Sequence, residues 1–304
     1  MPQQRKRASS VILIAGPTGS GKSRLALSLA RARDGVVINA DSMQVYHELR
    51  ILTARPSPED EALIPHRLYG HVRLREAYSV GDWLRDVSQV ISDVQSEGRR
   101  PIIVGGTGLY FMALVEGLSP VPQIPKDIRD HWRHEGDVRL VSELFEILLQ
   151  RDQQMARRLR PSDRQRIVRA LEVMDATGLS LAQWQKIPTT PLLKPGSYAG
   201  LVVECERFEI YRACDRRFDE MMSAGAVEEV RFIRDMQLEF SMPGMRALGL
   251  RPLLAYLDGK LDLDGAVRQA KLDTRHYVKR QLTWLRRNMI AWDKVSAQDV
   301  ENIP

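Results

Sequence analysis

The chain has 304 residues, of which 43% are hydrophobic and 28% charged, an ordinary globular composition with ample length for a buried core in one large domain or two modest ones. No apolar run approaches the roughly 20 residues of a membrane-spanning helix, and the apolar stretch at residues 11–15 is too short for a signal peptide, so a cytoplasmic protein is expected. Lys and Arg number 45 against 39 Asp and Glu, a net charge of +6 that alone hints only weakly at a polyanionic partner.

Residues 1–10 are basic and polar and read as a disordered tail. Residues 11–15 form a short buried strand that runs into Gly16-Pro17-Thr18-Gly19-Ser20-Gly21-Lys22-Ser23. Leu25, Leu27, Leu29 and Ala30 then mark an apolar helix. A second strand, residues 36–40, ends at Asp41. A polar, proline-bearing stretch follows, and a helix is predicted over residues 80–97, stopped by Gly98. Residues 101–104 make a third strand, ending at Gly105-Gly106-Thr107-Gly108. Strands alternating with helices imply an α/β fold, a P-loop parallel sheet flanked by helices. Three prolines between residues 120 and 125 interrupt this pattern. The period of Leu140, Leu144, Ile147, Leu148, Ile167, Leu171 and Met174 is helical, so a mainly helical insertion domain is expected over residues 121–197. Residues 11–120 and 198–304 would form the P-loop core, returning through a strand at residues 200–203 and ending in a long amphipathic helix from Leu263 to about Met289.

The segment Gly16 to Ser23 fits G-x-x-x-x-G-K-S with the strand before it and helix after it that the motif requires. The glycines let backbone N–H groups turn inward onto an anion, the helix N-terminus adds partial positive charge, Lys22 supplies a full charge, and Ser23 is placed to hold Mg²⁺. The motif indicates a diphosphate or triphosphate; alone it would suggest nucleotide, and ATP in particular. Asp41 and Thr107 lie at carboxyl ends of strands, where open α/β sheets place ligands. Asp41 reads as a general base, a Mg²⁺ ligand or merely an N-cap. Cys205 and Cys214 have no metal or disulfide spacing and read as reduced thiols; His131 and His134 read as surface residues. Two basic runs stand out, Arg157, Arg158, Arg160, Arg164, Arg166 and Arg169, and Lys271, Arg275, Lys279, Arg280, Arg286 and Arg287. Either alone is a solvated helix face. Two of them beside a phosphate motif point to nucleic acid.

The P-loop, Asn39-Ala40-Asp41-Ser42-Met43-Gln44-Val45-Tyr46, Gly105-Gly106-Thr107-Gly108-Leu109-Tyr110, Arg166-Ile167-Val168-Arg169-Ala170-Leu171-Glu172-Val173 and Thr274-Arg275-His276-Tyr277-Val278-Lys279-Arg280-Gln281-Leu282-Thr283-Trp284 occur in this order. Together they resemble the tRNA dimethylallyltransferases, or tRNA isopentenyltransferases, over residues 10–290. Leu52-Thr53-Ala54-Arg55-Pro56 stands where that family usually has Gly-Thr-Ala-Lys-Pro. Pro65-His66-Arg67 and Gly249-Leu250-Arg251-Pro252 also depart from its pattern. The resemblance implies attack by the exocyclic amine of the adenosine 3′ to the anticodon on dimethylallyl diphosphate, with release of diphosphate. Asp41 would take the amine proton. Lys22, Arg207, the P-loop amides and a Mg²⁺ on Ser23 would stabilise the leaving group, and Thr107 would bond the amine or the bridging oxygen. The adenine must leave its stack, and Asp41, Ser42, Met43 and Gln44 are the expected contacts, Gln44 through its donor and acceptor. Thr107, Arg129, Gln165, Arg166, Ile167, Val168 and Arg169 would meet the anticodon stem-loop of tRNA. A monomer acting away from membranes is expected. The rival readings are an ATP-dependent small-molecule kinase, which has no use for the basic insertion, an isopentenyltransferase for free adenine nucleotide, which needs no RNA grip, and a non-catalytic RNA-binding protein, which needs no Asp41.

Overall fold

In β1 (Val11–Ala15) every residue is buried. Val11, Leu13 and Ala15 enter one hydrophobic cluster, Ile12 and Ile14 another. A strand covered on both faces therefore reads as an unbroken apolar run. The computed structural model describes residues 11–297; the tail expected at residues 1–10 lies outside them.

The first glycine loop leads into α1 (Lys22–Ala32), then β2 (Gly35–Asn39), α2 (Pro58–Leu63), β3 (His66–Arg67), α3 (Val80–Ser96), β4 (Arg100–Gly105) and α4 (Gly108–Val115). The expected helix at residue 80 starts there because Ser79 and Asp82 close a reciprocal capping box. A helical stretch follows, α5 (Lys126–Val138), α6 (Val141–Arg151), α7 (Gln153–Ala156), α8 (Arg164–Thr177) and α9 (Leu181–Trp184). The chain then adds β5 (Tyr198–Val203), α10 (Arg207–Ser223), α11 (Ala226–Asp235), α12 (Leu250–Leu257), the long α13 (Leu263–Asn288) and β6 (Asp293–Val295).

All described strands pair in parallel, in the order β3-β2-β4-β1-β5-β6. Ile14 of β1 lies opposite Val104 of β4 on one side and Leu201 of β5 on the other. The loops after β1, β2 and β4 thus leave the same carboxyl edge as neighbours, the edge that binds ligands in open α/β sheets. A third cluster, including Tyr46, Leu49, Phe218, Val230, Leu250 and Ala270, packs the segment after Asp41 against α10 to α13.

The chain divides into two compact units, one of residues 116–191 and one of the rest. The first has its own core around Trp132, Leu144, Leu148, Ile167 and Leu171. The sheet unit resumes before residue 198, the return expected from the sequence: Leu193 is buried in its core and donates its N–H to the Leu114 carbonyl at 2.9 Å. Among the described residues no helix is long and apolar enough to cross a membrane.

Candidate active site

Gly19 and Gly21 take φ values of +80° and +84°, which curl the loop between β1 and α1 in a way that side chains resist. Ser20 Oγ is buried with no hydrogen-bond partner among the described residues, a donor left over in a loop shaped for an anion. Lys22 Nζ donates to the Pro17 carbonyl at 3.2 Å. Burial lowers its pKa to about 8; the attraction of Asp41 opposes that shift and the repulsion of Arg217 adds to it. Ser23, in the first turn of α1, lines a cavity of about 110 Å³ shared with Gln44, Arg55, His66 and Tyr69.

Asp41 is held at the end of β2 by Asn39, which is fully buried. The Asp41 N–H donates to Asn39 Oδ1 at 2.8 Å, and Asn39 Nδ2 donates to the Asp41 and Leu68 carbonyls at 2.9 and 3.0 Å. Asp41 Oδ1 accepts from the Met43 N–H at 2.9 Å, closing a turn rather than the helix N-cap that the sequence allowed, since residues 42–45 are turns and no helix starts there. Oδ2 accepts no hydrogen bond among the described residues. Thr107 joins the two strand ends: its N–H donates to the Ala40 carbonyl at 3.2 Å, its Oγ1 accepts from the Ser42 N–H at 2.9 Å, and it donates to Ser42 Oγ at 3.3 Å. Only glycine permits this approach, since a Cβ at Gly105 would lie 2.0 Å from the Ala40 carbonyl oxygen. The phenols of Tyr69, Tyr110 and Tyr277 are held protonated well above their ordinary range, chiefly by burial and further by the negative charge of Asp41.

Several site residues are brought to the glycine loops from far along the chain. Gln281 of α13 is 6% exposed and bridges the two glycine loops: its Oε1 accepts from the Thr18 N–H at 2.9 Å, and its Nε2 donates to the Gly106 carbonyl at 2.9 Å. One helical turn on, Trp284 lies against Gly108, where a Cβ would come within 2.4 Å of its ring. Arg217 of α10 donates through Nη2 to Thr18 Oγ1. Cys214, whose thiol pKa burial raises, donates to the Thr18 carbonyl at 3.5 Å. Glu229 of α11 gathers the N–H groups of Arg50, Ile51 and Leu52 at 2.8, 2.7 and 3.0 Å, fixing the loop beyond Asp41.

The expectation for Arg207 meets a different geometry. Its Nε donates to the Tyr211 hydroxyl at 2.7 Å, and it lines a cavity of about 530 Å³ between β5, the start of α10 and the end of α13. The arginine that reaches the P-loop is Arg217. Gln44 uses its amide donors on the Thr53 and Ala54 carbonyls at 2.8 and 3.0 Å, so its Oε1 alone remains for a base edge.

In the helical unit, Gln165, Arg166 and Arg169 are exposed on α8, whereas Ile167 is fully buried in that unit's core and Val168 packs over Gly136. A contiguous run on a helix cannot all face one partner; Ile167 is corrected to a core residue, and Val168 is half-buried against that core. Arg166 pairs with Asp163 at 3.4 Å; Arg169 pairs at 3.0 Å with Glu172, a carboxylate 5% exposed that Arg133 also approaches at 3.9 Å. Arg129 is half-buried, and its Nε has no partner among the described residues. Of the second basic run, Lys271 and Arg275 pair with Asp219 and Asp215 of α10. Arg280 instead joins Arg246, Arg251, His276 and one carboxylate, Asp273, around a cavity of about 330 Å³.

Comparison with known proteins gives consistent matches. The family model described as IPP transferase matches residues 44–288, and one described as Isopentenyl transferase matches residues 9–73. The tRNA dimethylallyltransferase of Bradyrhizobium sp. (strain ORS 278) is 48% identical over 97% of this chain and 96% of its own length; that of Azorhizobium caulinodans is 49% identical over 92% and 90%. The crystal structure of a full-length tRNA isopentenylpyrophosphate transferase from Bacillus halodurans has a TM-score of 0.67 at 30% identity, covering 97% of this chain and 92% of that one. A eukaryotic dimethylallyltransferase described as acting on tRNA has a TM-score of 0.78 at 26% identity, covering 97% and 75%.

Proposed function

The chain belongs to the IPP transferase family, that of the tRNA dimethylallyltransferases, and from that premise we propose that it transfers the dimethylallyl group of dimethylallyl diphosphate to the exocyclic amine of the tRNA adenosine 3′ to the anticodon. The observation that carries the reading is the meeting of three strand-end loops: the P-loop, Asp41 after β2, and Thr107 after β4, the last two hydrogen-bonded through Ser42.

The diphosphate lies against the P-loop N–H groups, Ser20 Oγ, Lys22 and Arg217. The amine nitrogen forms a bond to the allylic carbon as the carbon–oxygen bond breaks, the electron pair leaves with diphosphate, and Asp41 Oδ2 takes the amine proton. The Thr107 hydroxyl orients the amine or the bridging oxygen. Lys22 and Arg217 act where charge develops, on the departing oxygens. No group of three His, Cys, Asp or Glu able to hold a metal occurs among the described residues. A single hydroxyl at Ser23 fits Mg²⁺ nonetheless, because this ion is typically held by substrate phosphates, waters and one or two protein oxygens. Bound there, it would neutralise charge on the diphosphate. Exposed Gln165, Arg166 and Arg169, with Arg129, contact the anticodon stem backbone, and the basic cavity around Arg246, Arg251 and Arg280 accepts a further phosphate.

The test is transfer from labelled dimethylallyl diphosphate to an anticodon stem-loop RNA, run with and without competing ATP. One isoprenyl unit on the adenosine, undiminished by ATP, supports the reading. Phosphate transfer from ATP to an acceptor would replace it with a kinase.

A further inference from the structure

The buried stripe of α13 runs through Ala266, Ala270, Thr274, Val278, Gln281 and Leu285. Gln281 is the one amide in it. A buried amide is retained where its bonds are made, and those of Gln281 end on the two loops that carry opposite ends of the proposed reaction. On one side is Thr18 of the P-loop, on the other Gly106, the residue before Thr107. Gly106 is itself enclosed: a Cβ there would lie 2.3 Å from Gln281 Nε2 and 3.6 Å from Asp41 Oδ2. Gln281 and Asp41 therefore flank the same glycine. The Thr18 N–H, which a P-loop could turn toward its anion, is taken by Gln281 instead.

We propose that Gln281 is a positioning residue of the transfer reaction, a two-ended strut that sets the distance between the leaving-group loop and the Asp41–Thr107 end. This rests on the reading of the P-loop as the diphosphate site. The two reacting partners are held by separate loops after β1, β2 and β4; Thr107 joins the last two, and Gln281 ties the loop after β1 to the loop after β4. Attack on carbon requires the nucleophile near van der Waals contact and in line, and a shift of about 1 Å can cost roughly 10²-fold in rate. The strut touches neither partner, so its loss acts on geometry rather than on binding. It also lies on the helix that carries Lys279 and Arg280, so RNA bound along that helix would be in register with the strut.

The experiment uses the full chain with an anticodon stem-loop RNA and dimethylallyl diphosphate. Gln281→Met keeps the length and removes both bonds. The expected result is a kcat roughly 10- to 100-fold lower, with the Kd for dimethylallyl diphosphate changed less than about threefold. Gln281→Glu is the second variant and guards against misfolding, since it keeps shape and the acceptor for Thr18. Its neutral acid also donates to Gly106, while its carboxylate repels that carbonyl. Burial holds such an acid above the usual carboxylate range. Its kcat relative to wild type should therefore climb as pH falls from 8 to 5.5, a trend that a merely structural role would not produce. Wild-type rate in Gln281→Met overturns the proposal. So does parallel loss of kcat and affinity, which would make Gln281 part of the diphosphate site, and so does a pH-independent ratio for Gln281→Glu. Failure of the wild-type protein to bind dimethylallyl diphosphate would instead remove the donor-site reading on which the strut depends.

Discussion

Lys22 provides a sharp test of the phosphate site because its charge is set by the fold. Burial brings its pKa down to about 8, against the opposing attraction of Asp41. If the diphosphate needs the ammonium form, affinity is full below that pH and falls above it. With one titrating group, about 90% of free sites are charged at pH 7 and about 10% at pH 9, so the Kd should rise roughly tenfold across that interval. Cys214, the neighbouring thiol, stays neutral over most of the range because burial raises its pKa. The stability of the free protein has the opposite sign. The unfolded chain holds this proton up to its ordinary pKa of 10.5 while the folded chain releases it near 8, so this group makes folding more favourable as pH rises through that window. Calorimetric titration of dimethylallyl diphosphate into wild type and Lys22→Arg from pH 7 to 9 checks the binding arm. The arginine stays charged and its Kd should stay flat, and thermal unfolding of the free protein against Lys22→Met checks the other arm. A flat wild-type profile, or an equal slope in Lys22→Arg, refutes the assignment of the charge to Lys22.

Three further outcomes are expected. Asp41→Asn keeps an oxygen for the Met43 N–H but no base, and single-turnover transfer should slow by roughly 10²- to 10⁴-fold with donor binding largely intact; near-normal transfer would remove Asp41 from the chemistry. Arg217→Ala should weaken dimethylallyl diphosphate binding by about tenfold or more, the scale of a lost charge-assisted hydrogen bond, whereas Arg207→Ala should change it less than about twofold; the reverse order in direct titrations would restore Arg207. Replacing Arg166 and Arg169 together by Ala should flatten the slope of log RNA affinity against log salt concentration by about one to two and leave donor binding unchanged. Because Glu172 then keeps only Arg133 at 3.9 Å, unfolding should be followed alongside, and an unchanged salt slope would return these arginines to a purely structural role.

The sheet was legible wherever a strand is buried on both faces, since a run such as Val11 to Ala15 can pack in few other ways. β3 and β6 were not legible. They are two- and three-residue edge strands, His66–Arg67 and Asp293–Val295, too short and too polar to show a period. In the site, Asp41 and Thr107 were legible because strand ends and glycine turns announce themselves locally. Gln281 lies 263 residues from Thr18, and Arg217 lies 199 from it, so neither could be placed without the fold. A faint signal existed for Gln281, an amide interrupting a stripe of small and apolar residues. The run from Gln165 to Arg169 shows the opposite error. A segment offers all five residues to RNA; a helix turns Gln165, Arg166 and Arg169 outward and puts Ile167 in the core.

The charges at this edge of the sheet also fit the direction of the proposed reaction. In the resting site Asp41 attracts Lys22, while Arg217 repels it. In the proposed reaction the amine proton would move to Asp41 and that attraction would disappear, while negative charge would grow on the diphosphate oxygens beside the same two cations. Lys22 and Arg217 would therefore interact more strongly with the departing group than with the bound donor, which is the differential stabilisation that accelerates a reaction rather than merely tightening binding. The arrangement works only if Asp41 and the P-loop are close enough to sense each other yet far enough apart to hold different reactants. Gly106 lies in that gap, between the Asp41 carboxylate and the Gln281 amide. A side chain there would push the two ends apart, and so would a broken strut. The spacing between base and leaving group is thus written in two places, a glycine at the end of β4 and a glutamine on α13, that only the folded chain brings together.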